Sequence, residues 1–153
     1  AGRSGSAFTA ELGAMKMREE IDAMRIIGLD PVETLILPRL IALVIALPIL
    51  TFISDIMCLA GAGMLLQFYM DMQPDIYISR LRESVSDHTF MVGMSKAPFM
   101  ALVIGLISCV EGLKVEGSAE SLGLRTTSAV VKSIFIVIVL DGLFAIFYSA
   151  MDW

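Results

Sequence analysis

The sequence predicts an all-α integral membrane protein in which a charged helical region precedes three transmembrane helices. The first observation is composition, because 57% of the 153 residues are hydrophobic, against ~45–50% in a typical soluble domain. The second is charge distribution, since residues 40–54, 97–110 and 133–140 contain no charged side chain. With their flanks, these stretches reach the ~20 apolar residues that a bilayer requires. A soluble protein with buried apolar helices is the less favoured alternative.

The first element is a charged helix that we expect from Thr9 to Ile27. Apolar residues recur near helical spacing on one side of it: Leu12, Met15, Met17, Ile21, Met24 and Ile27. Opposite charges lie four residues apart on the other side, Lys16 with Glu20 and Arg18 with Asp22. Such pairs stabilise a helix, so the sequence predicts one continuous amphipathic helix here.

A stop and a restart follow this helix. Gly28 is a typical C-terminal stop. Asp30 is a suitable N-cap, Pro31 suits the first helical position, and Glu33 can close a capping box. The restarted helix leads into the apolar run, so the predicted cytoplasmic region covers residues 1–37.

The first transmembrane helix is predicted for residues 38–70. Its apolar part, residues 40–70, would be about 46 Å long as one helix, more than the ~30 Å hydrocarbon core. Because two spans would need more residues, we expect a single tilted helix with a kink near Pro48.

The other two transmembrane helices are predicted for residues 90–110 and 129–150. A polar connection joins the first span to the second, and Pro74 is expected to open a short helix within it. A Gly-rich polar connection over residues 111–128 joins the second span to the third. Trp153 ends the chain and is expected at interface depth.

Lysine and arginine indicate the orientation. With three spans, the N-terminal region and the second connection lie on one side, and these hold eight of the 11 basic residues when Lys132 is included. Cytoplasmic loops carry an excess of Lys and Arg. We therefore expect this side to be cytoplasmic.

The N-terminal helix also has the chemistry of a docking element. It offers a mixed-charge face and an apolar anchor at i, i+4 and i+7 spacing, which can fill a groove in a partner. The face comprises Arg18, Glu19, Glu20, Asp22 and Arg25, and the anchor comprises Met17, Ile21 and Met24. A helix lying on lipid is the alternative, although such helices are usually rich in Lys and Arg.

Two carboxylates, Asp55 and Asp141, lie inside predicted spans. Groups of this kind cost ~2.5–3.5 kcal/mol to insert and often mark a transport path or a proton site. The alternative is a structural carboxylate bonded to a neighbouring helix or placed near an interface. For Asp141 the candidate partner is Lys132, nine residues earlier.

Other chemistry is poorly supported. His88 is the only histidine, and one His without further ligands does not make a zinc site, so we expect no metal. Cys58 and Cys109 lie in apolar stretches and are interpreted as small hydrophobic residues.

The sequence also contains no catalytic nucleophile–base set and no Gly-x-x-x-x-Gly-Lys loop, so any ATP must bind a partner. The net charge of −5 argues against nucleic acid.

The amino-acid sequence of two segments resembles that of the MlaE-type ABC transporter permeases of bacterial Mla and Mce lipid-transport systems. The first segment is AGRSGSAFTAELGAMKMREEIDAMRIIGLDPVETLILPRLIA, and the second is the Gly112-Leu113 pair with the stretch from Gly123 to Val131. Ser121 departs from the family, which usually has Gly there. The signature residues matched are Ala1, Gly2, Arg3, Glu11, Gly13, Pro31, Pro38, Arg39, Gly123, Thr126 and Thr127.

The resemblance implies a permease subunit that moves phospholipids or related lipids between the inner membrane and the outer envelope. It implies a bacterial inner-membrane location, a homodimer, a cytoplasmic ABC ATPase that holds ATP and Mg²⁺, and an outward-facing MCE-domain protein. Residues 14–27 resemble the coupling helix that seats in the ATPase. Family members have two further spans ahead of the signature, so the chain is expected to be the C-terminal part of a five-span permease.

Two alternatives remain open from the sequence. One is a small stand-alone membrane channel or proton-linked carrier that uses Asp55 and Asp141. The other is an inactive partial permease.

Overall fold

The computed structural model describes residues 2–152, so Ala1 of the signature and the expected interface residue Trp153 lie outside the described residues. The described part is helical and contains no strand, which confirms the predicted all-α class. Three helical segments are long and apolar enough to cross a membrane: Val32–Met70, Asp87–Leu113 and Ala119–Ala150. The helices are α1 (Gly2–Met17), α2 (Glu20–Ile27), α3 (Leu37–Met70), α4 (Pro74–Ser84), α5 (Asp87–Leu113) and α6 (Ala119–Ala150).

The predicted single helix from Thr9 to Ile27 is wrong, because the chain breaks between α1 and α2. Glu19 has a left-handed backbone, with φ 60° and ψ 18°, which cannot continue a right-handed helix. The Glu19 N–H bonds to the Lys16 carbonyl at 3.1 Å, which tightens the last turn of α1. Other contacts stand in place of the predicted i,i+4 ion pairs: Lys16 donates to the Leu113 carbonyl, and Arg18 Nε lies 3.5 Å from Glu20 Oε1.

The predicted stop at Gly28 and the Asp30 cap of the restart are confirmed, whereas the capping box closed by Glu33 stays a prediction. Gly28 has φ 94°, and the N–H groups of Gly28 and Leu29 bond to the carbonyls of Arg25 and Met24 at 3.2 and 2.9 Å. This paired pattern closes a helix C-terminus. The Val32 N–H then donates to Asp30 Oδ1 at 3.1 Å. One π-helical turn, Val32–Ile36, leads directly into α3.

The polar connection predicted over residues 111–128 is much shorter in the structure. Only residues 114–118 separate α5 from α6. Ser118 caps α6 by accepting from the Ser121 N–H at 3.1 Å. The hydroxyls of Thr126 and Thr127 donate to carbonyls four residues back, at 2.7 and 3.0 Å. The threonine hydroxyls are thus satisfied within α6, but such bonds do not stabilise a helix, so the helical state of this Gly- and Ser-containing stretch depends on the Ser118 cap and on packing.

The chain forms two compact units. The first contains residues up to Val44 and from Phe99 onward, and therefore α1, α2, the start of α3, the second part of α5 and α6. The second is Ile45–Pro98, with most of α3, α4 and the first part of α5. Within the second unit, the predicted helix at Pro74 is present as α4, and its Tyr77 hydroxyl donates to the Leu59 carbonyl of α3 at 2.7 Å.

Within the first unit, α1 runs antiparallel to α6. A Cβ built on Gly2 would lie 3.3 Å from side-chain atoms of both Val130 and Ile134, whereas one built on Gly13 would lie 2.6 Å from Leu122. Advancing along α1 therefore means moving back along α6. The N-terminal half of α1 packs against residues of the third predicted span.

Candidate functional site

Small and hydroxyl side chains bring α1 close to α5 and α6. The Thr9 hydroxyl donates to the Ser108 carbonyl at 3.1 Å in a fully buried position. A Cβ on Gly5 would lie 3.0 Å from Ser133 Oγ and 3.3 Å from Ser108 Oγ. Small residues permit such close helix approach within membranes. Leu12 completes this contact and is fully buried.

The last turn of α1 lies at the α5–α6 connection. The Lys16 ammonium donates to the Leu113 carbonyl at the C-terminus of α5, where a cation also complements the helix dipole. Gly13 lies against Val115 of the connection and Leu122 of α6. The structure therefore places the end of α1 and the second connection at the same end of the helices, as the counting of basic residues requires.

The predicted docking residues divide between the surface and the interior. Arg18, Glu19, Asp22 and Arg25 are exposed, and Glu20 is partly buried. Of the predicted apolar anchor, Ile21 is only 3% exposed, and Met17 and Met24 are partly buried. These three side chains pack largely within the chain, and hold α2 to its own unit.

Two exposed apolar side chains at the end of α2 were not singled out from the sequence as an anchor. Ile26 is 87% exposed and Ile27 is 74% exposed. They directly precede the Gly28 stop, so they form an apolar tip beside the exposed Asp22 and Arg25. At five and six residues from the buried Ile21, both side chains lie on the other side of α2.

Two signature residues form an ion pair between α1 and α3. Arg39 Nη2 lies 2.6 Å from Glu11 Oε1, and the Arg39 side chain is partly buried. This pair joins α1 to the start of α3, and the Lys16 bond joins α1 to the end of α5. The segment from α1 through α2 to α3 is therefore held at both ends.

A buried carboxylate, Glu111, was missed by sequence reasoning. Its side chain is 2% exposed. Lys132 contacts one carboxylate oxygen, Arg125 Nη1 lies 3.5 Å from the other, and Lys114 Nζ lies 3.9 Å away. The one available signal was a charged residue at the end of an apolar stretch. We call these four residues the Glu111 cluster.

The intramembrane carboxylates occupy different units. Asp55 belongs to the second unit and lines a cavity of about 260 Å³ with Cys58, Thr89 and Phe90 among its neighbours. Asp141 is on the exposed side of α6 in the first unit. Lys132, the partner considered for Asp141, contacts Glu111.

The remaining signature residues differ in burial and in their contacts. Pro31 is buried beside the cap of the π-helical turn, Pro38 is exposed at the start of α3, and the Arg3 carbonyl accepts from Ser6 Oγ at 2.9 Å. A Cβ on Gly123 would meet nothing within 4 Å. Residues 2–152 contain no group of three or more His, Cys, Asp or Glu positioned to hold a metal ion.

Comparison with known proteins gives the family. A model of the family described as permease MlaE matches residues 1–147. The chain is 34% identical to protein TRIGALACTOSYLDIACYLGLYCEROL 1, chloroplastic, of Arabidopsis thaliana, over 97% of the chain and 42% of the relative. It is 34% identical to a probable ABC transporter permease protein of Pyropia yezoensis, over 96% of the chain and 56% of the relative.

A third relative is a probable ABC transporter permease protein of Synechocystis, 33% identical over 91% of the chain and 53% of the relative. The chain thus spans about half the length of these relatives. The family match covers the signature segments, α2 and the three apolar helices up to residue 147. This multi-pass, all-α chain therefore belongs to the MlaE permease family.

Proposed function

We propose that this chain is part of the permease subunit of an ABC transporter that moves phospholipids or related lipids across the cell envelope. The observation that carries the proposal is the exposed face and tip of α2, joined by a capped turn to a membrane helix, in a chain of this family. Lipid as cargo is supported by the Arabidopsis relative, whose name contains a diacylglycerol lipid.

The partners follow from the same proposal. A cytoplasmic ABC ATPase holds ATP and Mg²⁺ and seats α2, a second permease copy completes a homodimer, and an outward-facing MCE-domain protein receives or delivers lipid. The chain itself then performs no hydrolysis. In a bacterium the membrane is the inner one, with α2 and the α5–α6 connection on its cytoplasmic side.

The mechanical route runs from α2 into α3. ATP-driven closure of the ATPase pushes the exposed charges and the Ile26–Ile27 tip. The Gly28 closure and the Asp30 cap leave few free rotations between α2 and α3. The Glu11–Arg39 pair and the Lys16 bond hold α1 against α3 and α5. Movement of α2 therefore tilts the membrane helices, and this squeezes an apolar, lipid-holding cavity at the interface of the permease dimer.

The test reconstitutes the complete transporter in proteoliposomes and measures lipid moved per ATP hydrolysed. Charge reversal of Glu20 and Asp22, or Ile26→Ser with Ile27→Ser, is expected to lower this ratio by about tenfold or more. Glu116→Lys is the matched control, because Glu116 is an exposed carboxylate on the α5–α6 connection. Unchanged export in both α2 variants would show that α2 does not couple.

Co-purification separates this function from a stand-alone channel or carrier that uses Asp55 and Asp141. A permease brings down an ATPase and an MCE-domain protein. A stand-alone carrier brings down neither, and its flux should depend on the two carboxylates without added ATP.

A further inference from the structure

A groove between α5 and α6 is apolar along its wall and charged at one end. Its volume is about 240 Å³. Leu106, Ile107 and Val110 line the apolar part, and the charged end consists of Glu111, Lys114 and Lys132. All of these residues belong to the first unit. The groove is therefore amphipathic over about two helical turns.

The charged end is positive although the chain is acidic. The two lysines that line the groove face one carboxylate, which leaves a net charge of +1 at this end. Arg125 contacts Glu111 from outside the groove lining and brings the Glu111 cluster to +2, in a chain whose net charge is −5. Glu111 is buried, whereas Lys114 and Lys132 are each 49% exposed. Each ammonium carries three N–H donors, so both lysines retain donors for a ligand in the groove.

The cluster also lies at the depth where a headgroup is expected. It is at the end of α5 and just before the charge-free residues 133–140 of α6. Lysine side chains at such positions extend towards the headgroups while their stems remain in apolar surroundings. A second groove of about 400 Å³ begins on the other side of Lys132 and is lined in part by Arg125, Thr127 and Ser128. It offers further donors to a headgroup.

We propose that this groove binds one anionic phospholipid from the surrounding leaflet, as a lipid held by the permease and separate from its transported cargo. The acyl chain lies along Leu106, Ile107 and Val110, and the phosphate lies between Lys114 and Lys132. Basic pockets between transmembrane helices bind anionic headgroups in this way. A zwitterionic lipid brings its own cation to a positive site, so its binding is weaker.

Native mass spectrometry of the complete chain in an uncharged detergent tests this proposal. The protein is titrated with phosphatidylglycerol or with phosphatidylcholine of the same acyl chains. Phosphatidylglycerol is expected to bind several-fold more tightly. Lys114→Gln and Lys132→Gln should each weaken its binding about fivefold, the equivalent of about 1 kcal/mol per lysine at an anionic membrane surface. Binding of phosphatidylcholine should not change.

One control variant and one control ligand make the result specific. Arg82→Gln removes an exposed cation from α4 in the second unit and should leave the lipid preference intact. Lys114→Gln is the variant least able to disturb folding, because its ammonium is the most distant of the three cations from Glu111. Soluble glycerol 1-phosphate, which has the phosphate without the acyl chains, should compete only at far higher concentration.

Three results would overturn the proposal: equal binding of the two lipids, a preference that survives in the double lysine variant, or glycerol phosphate competing as well as the lipid. The measurement uses no ATP and no partner. Its failure would therefore leave the proposed transport function standing, and a failure of coupling through α2 would leave this site standing.

Discussion

Glu111 shows how a carboxylate can be kept at the end of a membrane helix. It is nearly inaccessible, yet both of its oxygens face cations from α6 or from the connection. Burial of a lone charge would be costly, and pairing with hydrogen-bonding cations offsets that cost. Because those cations are themselves a third to a half exposed, solvent weakens each pair.

Glu111→Gln should therefore destabilise the chain moderately. A hydrogen bond to a charged group contributes more than a neutral one, and after allowance for solvent the loss is about 1 kcal/mol. For a chain of this size that corresponds to a melting temperature about 2–4 °C lower, measured by thermal unfolding in detergent. Glu116→Gln, an exposed neighbour, should not change it. An equal effect of the two substitutions would contradict the structural role of Glu111.

The Glu111 cluster was not predictable from local sequence. Lys114 is three residues away, but Arg125 and Lys132 are 14 and 21 residues away, across a change of chain direction. Pattern methods detect neighbours along one helix, and here the decisive contacts join two. The Glu11–Arg39 pair was likewise not predictable from local sequence, because the α1–α2 break lies between its two residues.

At the scale of elements, tertiary packing overrides local propensity in two places. The stretch before Thr126 contains Gly and Ser, which favour turns, yet α6 already begins at Ala119. Conversely, the helix breaks at Glu19, where no Gly or Pro predicts a break. The Lys16 bond to the end of α5 and the burial of Ile21 fix where α1 ends and how α2 leaves it.

The packing of α1 against α6 makes Gly13 a sensitive position. In Gly13→Ala the new methyl group would meet Leu122 and the stiff Val115 side chain, at 2.6 and 2.8 Å. Overpacking costs ~1–3 kcal/mol, and a gain in helix propensity of up to ~1 kcal/mol offsets part of it. We expect a net loss of about 1 kcal/mol in the free energy of unfolding, measured by denaturant titration in mixed micelles.

Gly123→Ala is the matched control on α6. Its methyl group would enter open space, so helix propensity alone should act and stability should stay level or rise. If Gly13→Ala were as well tolerated as Gly123→Ala, α1 would not pack against the connection and α6 as closely as described.

For the whole molecule, the number and placement of membrane helices were predictable because bilayer thickness imposes a length that few other structures share. The predicted first span, residues 38–70, agrees with α3, and the other two spans lie inside α5 and α6. Their true ends were not predictable, since helices extend past the apolar run wherever caps or neighbours support them. The last turns of α1 lie beside Leu113 and Val115. This contact joins residues far apart in sequence, so local sequence does not predict it.

This contact makes the membrane topology testable. Because α1 ends where the α5–α6 connection begins, Asp22 and Ser118 should lie on one side of the membrane, and three spans place Asp75 of α4 on the other. Cys58→Ala with Cys109→Ala provides the background, into which Asp22→Cys, Ser118→Cys or Asp75→Cys is introduced. An impermeant maleimide should label the first two positions only from the cytoplasmic side, and the third only from the opposite side. Labelling of Asp22→Cys and Ser118→Cys from different sides would rule out the placement of Lys16 beside Leu113, whichever way the protein is inserted.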